Sequence, residues 1–506
     1  MAAAFGVHFG STSACLAVYK DGKTDVVANE AGDRVTPAIV AFTDHDKAVG
    51  LAAKQGIIRN AQNTVCNVKQ TLGREFTDPA VQQITASSPV KIVEKDGKPA
   101  YEVEFQEKRA TFTPVQIAEL VYKNMREIAQ SHGDGEIHDT VVTCPVDYNP
   151  QQRNALSQSA EAAGFHVLRV INEPTAAALA YDLGQKDIHE YCNVLVYRLG
   201  GTSCDCTVIS VNCGMYRILA NISRPDIGGS SFTDVLAEHF AGEFKRQWKS
   251  DVHENKRAVA KLKNAAENCK HVLSTMPTAQ CSVESLHEGI DFQSSVSRAR
   301  FESLVSSLLQ QCLQPVEQVL TEAQLTKENI HKVIVCGGTT KIPALQRSLK
   351  DYFNEAEFLN SIVPDEVVAL GAAKQAAILT GNEEESKLHE QENEVECLSK
   401  QILIKVLPSN SDQDKLQVLF PAFTPIPVRR QHVFDLSQEQ TTFCVEIFEA
   451  DDSINDRVLL GRVVMQEVPE NGQITAVFHI RREGSLHVTC TEKTSGKLED
   501  VLIEAQ

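Results

Sequence analysis

Two short stretches carry the residue types that hold a phosphate. Gly10, Ser11 and Thr12 follow an apolar run at 4–9, and Gly200, Gly201, Thr202 and Ser203 follow another at 194–199. Glycine lets a backbone come close to an anion, and the turn's N–H groups with the Ser and Thr hydroxyls can ring its oxygens. One such turn alone reads as a tight hairpin, because glycine punctuates loops everywhere. These two match: VHFGSTSACLAV (7–18) laid over YRLGGTSCDCTV (197–208) puts Gly10 on Gly200, Thr12 on Thr202 and Ser13 on Ser203 without a gap. The same alignment puts His8 on Arg198. Phosphate-binding turns commonly keep a carboxylate close by for hydrated Mg²⁺, which wants hard oxygen ligands. A neutral imidazole brings no anionic charge, and a guanidinium repels the ion. Arg198 is instead suited to pair directly with phosphate oxygens through charge-assisted bonds.

The elements that must position these turns alternate short apolar strands with helical segments up to about Gly381, the pattern of α/β architecture. A third related turn lies in VIVCGGTTKIP (333–343). A second repeat pairs NEPTAAALAY (172–181) with PDEVVALGAAKQAA (364–377), an acid near a proline followed by a helix of small residues that can approach a neighbour closely. Two such halves predict a duplicated lobe with a cleft between. On a helix predicted over 255–273, Leu262, Ala265, Ala266, Cys269, Val272 and Leu273 recur at core spacing. Glu267, Lys270, His271 and Ser274 share a neighbouring face.

The run GNEEESKLHEQENEVE carries seven glutamates against one lysine and reads as an exposed linker over 382–397. Beyond it, strands bounded by turn signals predict a compact β domain over 398–506, with a hairpin turn at REGS (482–485) and alternation at Val477 and His479, then Leu486, Val488 and Cys490. A net charge of −18 argues against a chain that grips nucleic acid or an anionic membrane by itself. No basic leader precedes an apolar core, no run is long enough to span a bilayer, and the 14 scattered cysteines suit a reducing compartment, so a cytosolic location is expected.

Taken together, NTVCNVKQTLGR, VVTCPVDYN, INEPTAAALAY, IGGSSF, CGGTTKIP and PDEVVALGAAKQAAIL resemble, in order, the motifs of the seventy-kilodalton heat-shock chaperones of the actin-like ATPase fold. The resemblance covers nearly the whole chain and implies a two-lobed actin-like nucleotide-binding domain over 1–381, followed by a small β-sandwich without a helical lid. It implies ATP as ligand, with Gly10, Ser11 and Thr12 as the first phosphate loop and Gly200, Gly201, Thr202 and Ser203 as the second, Thr202 standing where the family has a third glycine. Gly229 matches another nucleotide-side glycine. Adenosine would lie along Glu267, Lys270, His271 and Ser274, with Gly337, Gly338, Thr339, Lys341 and Asp365 facing. His271 and Lys341 replace arginines there, and lysine lacks the planar group that stacks on a base. Lys69, Glu173 and Asp205 match the family's catalytic positions. His8 and Arg198 stand where the family has the two aspartates that fix hydrated Mg²⁺.

These departures predict ATP binding without a required Mg²⁺ and with little or no turnover. Within the family the chain looks most similar to the truncated, ribosome-associated Ssz-like branch. That implies a stable heterodimer with a zuotin-type J-domain protein, contact with the ribosome through that partner, action on nascent polypeptides, and stimulation of a separate active heat-shock ATPase. The alternatives are an autonomous ATP-driven peptide-binding chaperone, favoured by Lys69, Glu173 and Asp205, and a small-molecule kinase of the same fold, which leaves the β domain unexplained.

Overall fold

The structure, a computed structural model, describes the chain except residues 1–2, 21, 132–138, 186–190, 213–214, 381–396, 399, 408–415, 423, 437–440, 451–456, 470–471, 482–483 and 505–506. Two compact units result, Met1–Leu388 and His389–Gln506. Of the acidic run expected at 382–397, only Cys397 is described, bridged to Pro425.

The first unit contains the duplication in its sheets. In the first, the strands run His166–Asn172, Asp139–Cys144, Ala4–Phe9, Ser13–Lys20, Lys23–Val26. In the second they run Glu357–Leu359, Lys332–Cys336, Tyr191–Leu199, Cys204–Asn212, Met215–Arg224. Each set is two parallel pairings followed by two antiparallel ones, strand for strand. The central strands are apolar except at His8, Asn193 and Arg198, because helices cover both faces. Phe5, Val7 and Phe9 pack under Pro114–Ser131, and Leu195, Tyr197 and Leu199 under Gly229–Trp248 and Lys256–Thr275.

The opposite faces are covered by a crossed pair of helices. Glu173–Ala180, with proline in its first turn, leaves the first sheet and packs on the second, setting Ala176, Ala177 and Ala178 against Val194, Val196 and Ile209. Val367–Thr380 leaves the second sheet and packs on the first, with Ala369 and Ala373 against Cys15 and Ala17. Small residues are required where the two cross, since a Cβ at Gly371 would lie 1.7 Å from the Ala176 carbonyl oxygen. These are the two helices of the second sequence repeat.

Three details differ from the sequence expectation. The third turn, after Cys336, forms a 3₁₀ segment, Gly338–Lys341, unlike the first two, and runs into the helix Pro343–Tyr352, whose proline favours a helix start. Lys256–Thr275 is capped by the Asn255 side chain and buries Leu262, Ala266, Cys269 and Leu273, but Val272 is 42% exposed. Its place inside is taken by Lys270, which has polar partners to satisfy its charge. In the second unit, two four-stranded antiparallel sheets form around alternating side chains. On Gln473–Ile480 the buried set is Ile474, Ala476, Phe478 and Ile480, so Val477 and His479 lie on the other face, while Leu486, Val488 and Cys490 are buried. Of the turn expected at 482–485, residues 482 and 483 lie outside the described residues; on either side the Arg481 N–H donates to the Ser485 carbonyl at 2.9 Å.

Among the described residues no helix is long and apolar enough to cross a membrane. Cys15, Cys336 and Cys490 are buried free thiols and Cys444 is half-buried.

Candidate nucleotide site between the lobes

The two glycine turns close in the same way. Gly10 N–H donates to the Ser13 carbonyl at 2.8 Å, and Gly200 N–H to the Ser203 carbonyl at 2.9 Å. They face each other: a Cβ on Gly201 would come within 2.4 Å of the Thr12 side chain. The second turn is held by its own lobe. Its Gly200 carbonyl accepts from Gly229 N–H at 2.9 Å and from the Thr339 hydroxyl at 2.9 Å, and the Gly201 carbonyl accepts from Ser230 N–H at 2.9 Å. Gly337 takes φ +88°, and a Cβ there would strike the Leu199 carbonyl at 2.4 Å. The structure thus gathers Gly10, Thr12, Gly200, Gly201, Thr202, Ser203, Gly229, Gly337 and Thr339 in one place. Ser11 is half-buried at the tip of the first turn.

Strand alternation decides what Arg198 meets. It shares a face with Val194 and Val196, the face covered by Glu173–Ala180, and so points at the first residue of that helix. Its Nε lies 2.9 Å from Glu173 Oε2 and its Nη1 2.7 Å from Asp205 Oδ2, with a longer bond to the Ser203 hydroxyl. Where the sequence expectation turned Arg198 to a phosphate, its Nε and Nη1 here hold two carboxylates of the protein itself. Asp205 is its direct cross-strand partner, which the antiparallel register imposes. Asp205 also accepts from Ser203 at 2.9 Å and from Ser223 at 2.6 Å.

The remaining oxygen of Glu173 accepts from Lys69 Nζ at 2.7 Å, and both side chains are almost fully buried. Burial alone would raise the Glu173 carboxyl, but Arg198, then Lys69, bring it down to about 2. The three residues expected at catalytic positions, Lys69, Glu173 and Asp205, thus lie together and are joined through Arg198. The cavity beside them, lined by Pro145, Val146 and Thr207 among others, measures about 10 Å³, room for one water at most.

His8 occupies the matching place in the first lobe. Its Nδ1 is 2.9 Å from the Thr143 hydroxyl and 3.8 Å from Glu173, and its Nε2 lies under Gly10. Burial pushes its pKa down to about 3, with Lys69 and Arg198 adding to the shift and Glu173 opposing it. His8 is therefore neutral in the fold and protonated in the unfolded chain below about pH 6.5. The unfolded state binds the extra proton, so stability falls with acid between about pH 6.5 and 3. Urea unfolding at pH 7.5 and 5.0 is expected to show wild type losing about 2 kcal/mol more than His8→Gln over that interval. Equal losses in the two proteins would remove the buried neutral imidazole from the account.

Among the residues expected toward adenosine, Lys270 Nζ bonds Glu267 at 2.7 Å, the Gly229 carbonyl at 2.9 Å and the Thr233 hydroxyl at 3.0 Å. Glu267 also bonds His271 Nε2 at 2.9 Å and the Thr233 hydroxyl. Burial would raise the Glu267 carboxyl, yet His271 and Lys270 hold it well below the carboxylate range. Lys341 pairs with Asp365, which abuts Gly338. Ser274 donates to the Lys270 carbonyl of its own helix at 3.2 Å. Sequence reasoning missed Thr143, Thr233 and Ser223. Only strand register, which pairs Ser223 with Asp205, could have pointed to the last.

The donor set does not suit Mg²⁺. The position of one would-be carboxylate holds the neutral His8 imidazole and the other the Arg198 guanidinium. The turns do suit a phosphate chain, with glycine backbone on both sides of the cleft and the polar groups of Lys270 and Thr339 behind the second turn.

The Hsp70 protein family matches this chain over residues 4–506. Heat shock 70 kDa protein 14 of Homo sapiens is 46% identical over 508 residues, covering 99% of both chains. The Danio rerio protein of that name is 47% identical over 502 residues and Heat shock 70 kDa protein 14-B of Xenopus laevis 45% over 508, again across 99% of each chain. The match extends through both lobes and the β unit, and the chain belongs to the Hsp70 family of ATP-binding chaperones.

Proposed function

We propose that this chain binds ATP between the paired turns, turns it over little or not at all, and works as the chaperone-like subunit of a cytosolic ribosome-associated complex with a zuotin-type J-domain protein. In that complex it assists nascent chains and stimulates a separate, active heat-shock ATPase. The observation that carries the low turnover is the position of Arg198 between Glu173 and Asp205. Phosphoryl transfer needs a positioned water and compensation for charge moving to the leaving oxygen, usually supplied by a bridging metal. Here the carboxylates that could orient water or metal-bound water are tied to a guanidinium. Gly10, Ser11, Thr12, Gly200, Gly201, Thr202 and Ser203 would hold the phosphates, with Glu267, Lys270, His271, Ser274, Lys341 and Asp365 toward the adenosine. Bound ATP would supply a polyanion that bridges the turns and stabilises the fold by mass action. The acidic chain supports the partner reading, since a basic subunit would provide the ribosomal RNA contacts that a net charge of −18 disfavours.

The purified chain is expected to bind ATP equally well with Mg²⁺ and with a chelator, and to show no turnover above background. The double variant His8→Asp/Arg198→Asp is expected to bind ATP in a magnesium-dependent way. Wild-type turnover at about 10⁻² s⁻¹ or above, abolished by chelation, would overturn the nucleotide reading. Co-expression with a zuotin-type protein is expected to yield a stable heterodimer that sediments with ribosomes while this chain alone does not. Independent elution of the two would overturn the partner reading.

A further inference from the structure

The internal repeat extends to a feature that nucleotide binding does not use. Each crossed helix begins at a glutamate, Glu173 at the start of Glu173–Ala180 and Glu366 just ahead of Val367–Thr380. Each glutamate is held by an arginine of the lobe on whose sheet its helix packs. Arg198 holds Glu173, and Arg34 holds Glu366 through two bonds, Nε to Oε1 at 2.8 Å and Nη2 to Oε2 at 3.1 Å. Each arginine also holds an aspartate on a strand of its own sheet, Asp205 for Arg198 and Asp25 for Arg34, both at 2.7 Å. The result is a Glu–Arg–Asp clasp made twice.

The two clasps differ in depth. Arg34 and Asp25 are largely in solvent, where ion pairs contribute little. Glu173 is buried, Arg198 and Asp205 are 11% and 17% exposed, and the buried Lys69 extends that clasp into the first lobe, making a chain of alternating charge: Lys69, Glu173, Arg198, Asp205. Its formal charges cancel, so it needs neither a metal nor a phosphate to balance it. Separating the lobes must break either the Lys69–Glu173 or the Glu173–Arg198 bond.

We infer that Arg198 is a positioning residue that joins the two lobes in the absence of any ligand, filling the bridging role that phosphate and metal fill in a nucleotide-gated clamp. Lobe closure in this chain is then independent of nucleotide, and any surface formed by the closed lobes is presented constantly. The inference stands apart from turnover: an active ATPase would overturn the proposed function and leave this result unchanged.

Amide hydrogen exchange on the full chain tests it, read in the two crossed helices. In wild type ATP is expected to slow exchange in the two helices by no more than it slows the rest of the first unit, the uniform effect of a ligand that binds the folded chain. Arg198→Ala is expected to exchange at least about tenfold faster without nucleotide and to regain protection with ATP, and Arg198→Lys to recover part of the protection without it. Should Arg198→Ala fail to fold, Asp205→Asn removes one arm of the clasp and is expected to accelerate exchange less, in the same direction. ATP-dependent protection in wild type confined to the two helices, or variants that exchange like wild type, would overturn the inference.

Discussion

Arg198→Ala is expected to destabilise the first unit by about 3–5 kcal/mol, the loss typical of removing one partner from a buried ion pair. Among the described residues the guanidinium is the one group that bonds both Glu173 and Asp205, so its removal leaves Asp205 with the hydroxyls of Ser203 and Ser223, and Glu173 with Lys69. Acid tests the cause. With its folded pKa depressed to about 2, Glu173 stabilises the fold above its ordinary range and loses that contribution as pH falls from about 4.5 to 2. That shift corresponds to about 3 kcal/mol at neutral pH, comparable with the expected loss. Without Arg198 the carboxyl protonates more readily, so the gap between wild type and variant should narrow as pH approaches 4. The double variant Arg198→Met/Asp205→Asn, which removes a charge of each sign, should recover part of the loss. A deficit below about 1 kcal/mol at pH 7.5 in urea unfolding would place Arg198 among ordinary surface cations.

Gly371→Ala is expected to abolish folding of the first unit, for a reason unrelated to charge. The added Cβ would lie 1.7 Å from the Ala176 carbonyl oxygen and 2.5 Å from its carbon, both backbone atoms of the other crossed helix. No rotamer change relieves such a contact. The helices would have to part by roughly 1.5 Å in a close-packed interior, at a cost above about 4 kcal/mol. Gly242→Ala is the control, because that helical glycine has nothing within 4 Å of its missing Cβ. It should raise stability by about 0.5–1 kcal/mol through helix propensity. Thermal melts and soluble yield distinguish the pair; a Gly371→Ala protein melting within a few degrees of wild type would mean the helices can separate at small cost.

These substitutions also divide what was legible in the chain from what was not. The matched turns, the small-residue helices and the alternating β strands are local patterns, and period and turn chemistry report them directly. Lys270 and Val272 show where that legibility fails. Spacing put Val272 in the core stripe, yet partners brought from elsewhere, Gly229 and Thr233, let Lys270 be buried instead. The turn after Cys336 looked like its two relatives and became a 3₁₀ segment because a helix follows at once.

The sequence by itself determined that two equivalent turns exist, that neither has an acid two residues ahead of its glycine, and that His8 and Arg198 stand there. Tertiary structure alone decided what Arg198 does. Charge can be counted along a chain, but its partner depends on which face of a strand it leaves and which helix covers that face. Here the covering helix comes from the opposite lobe and starts with Glu173, while strand register supplies Asp205. A cation that the sequence offers to any anion within reach is therefore committed, by packing, to two carboxylates of its own chain.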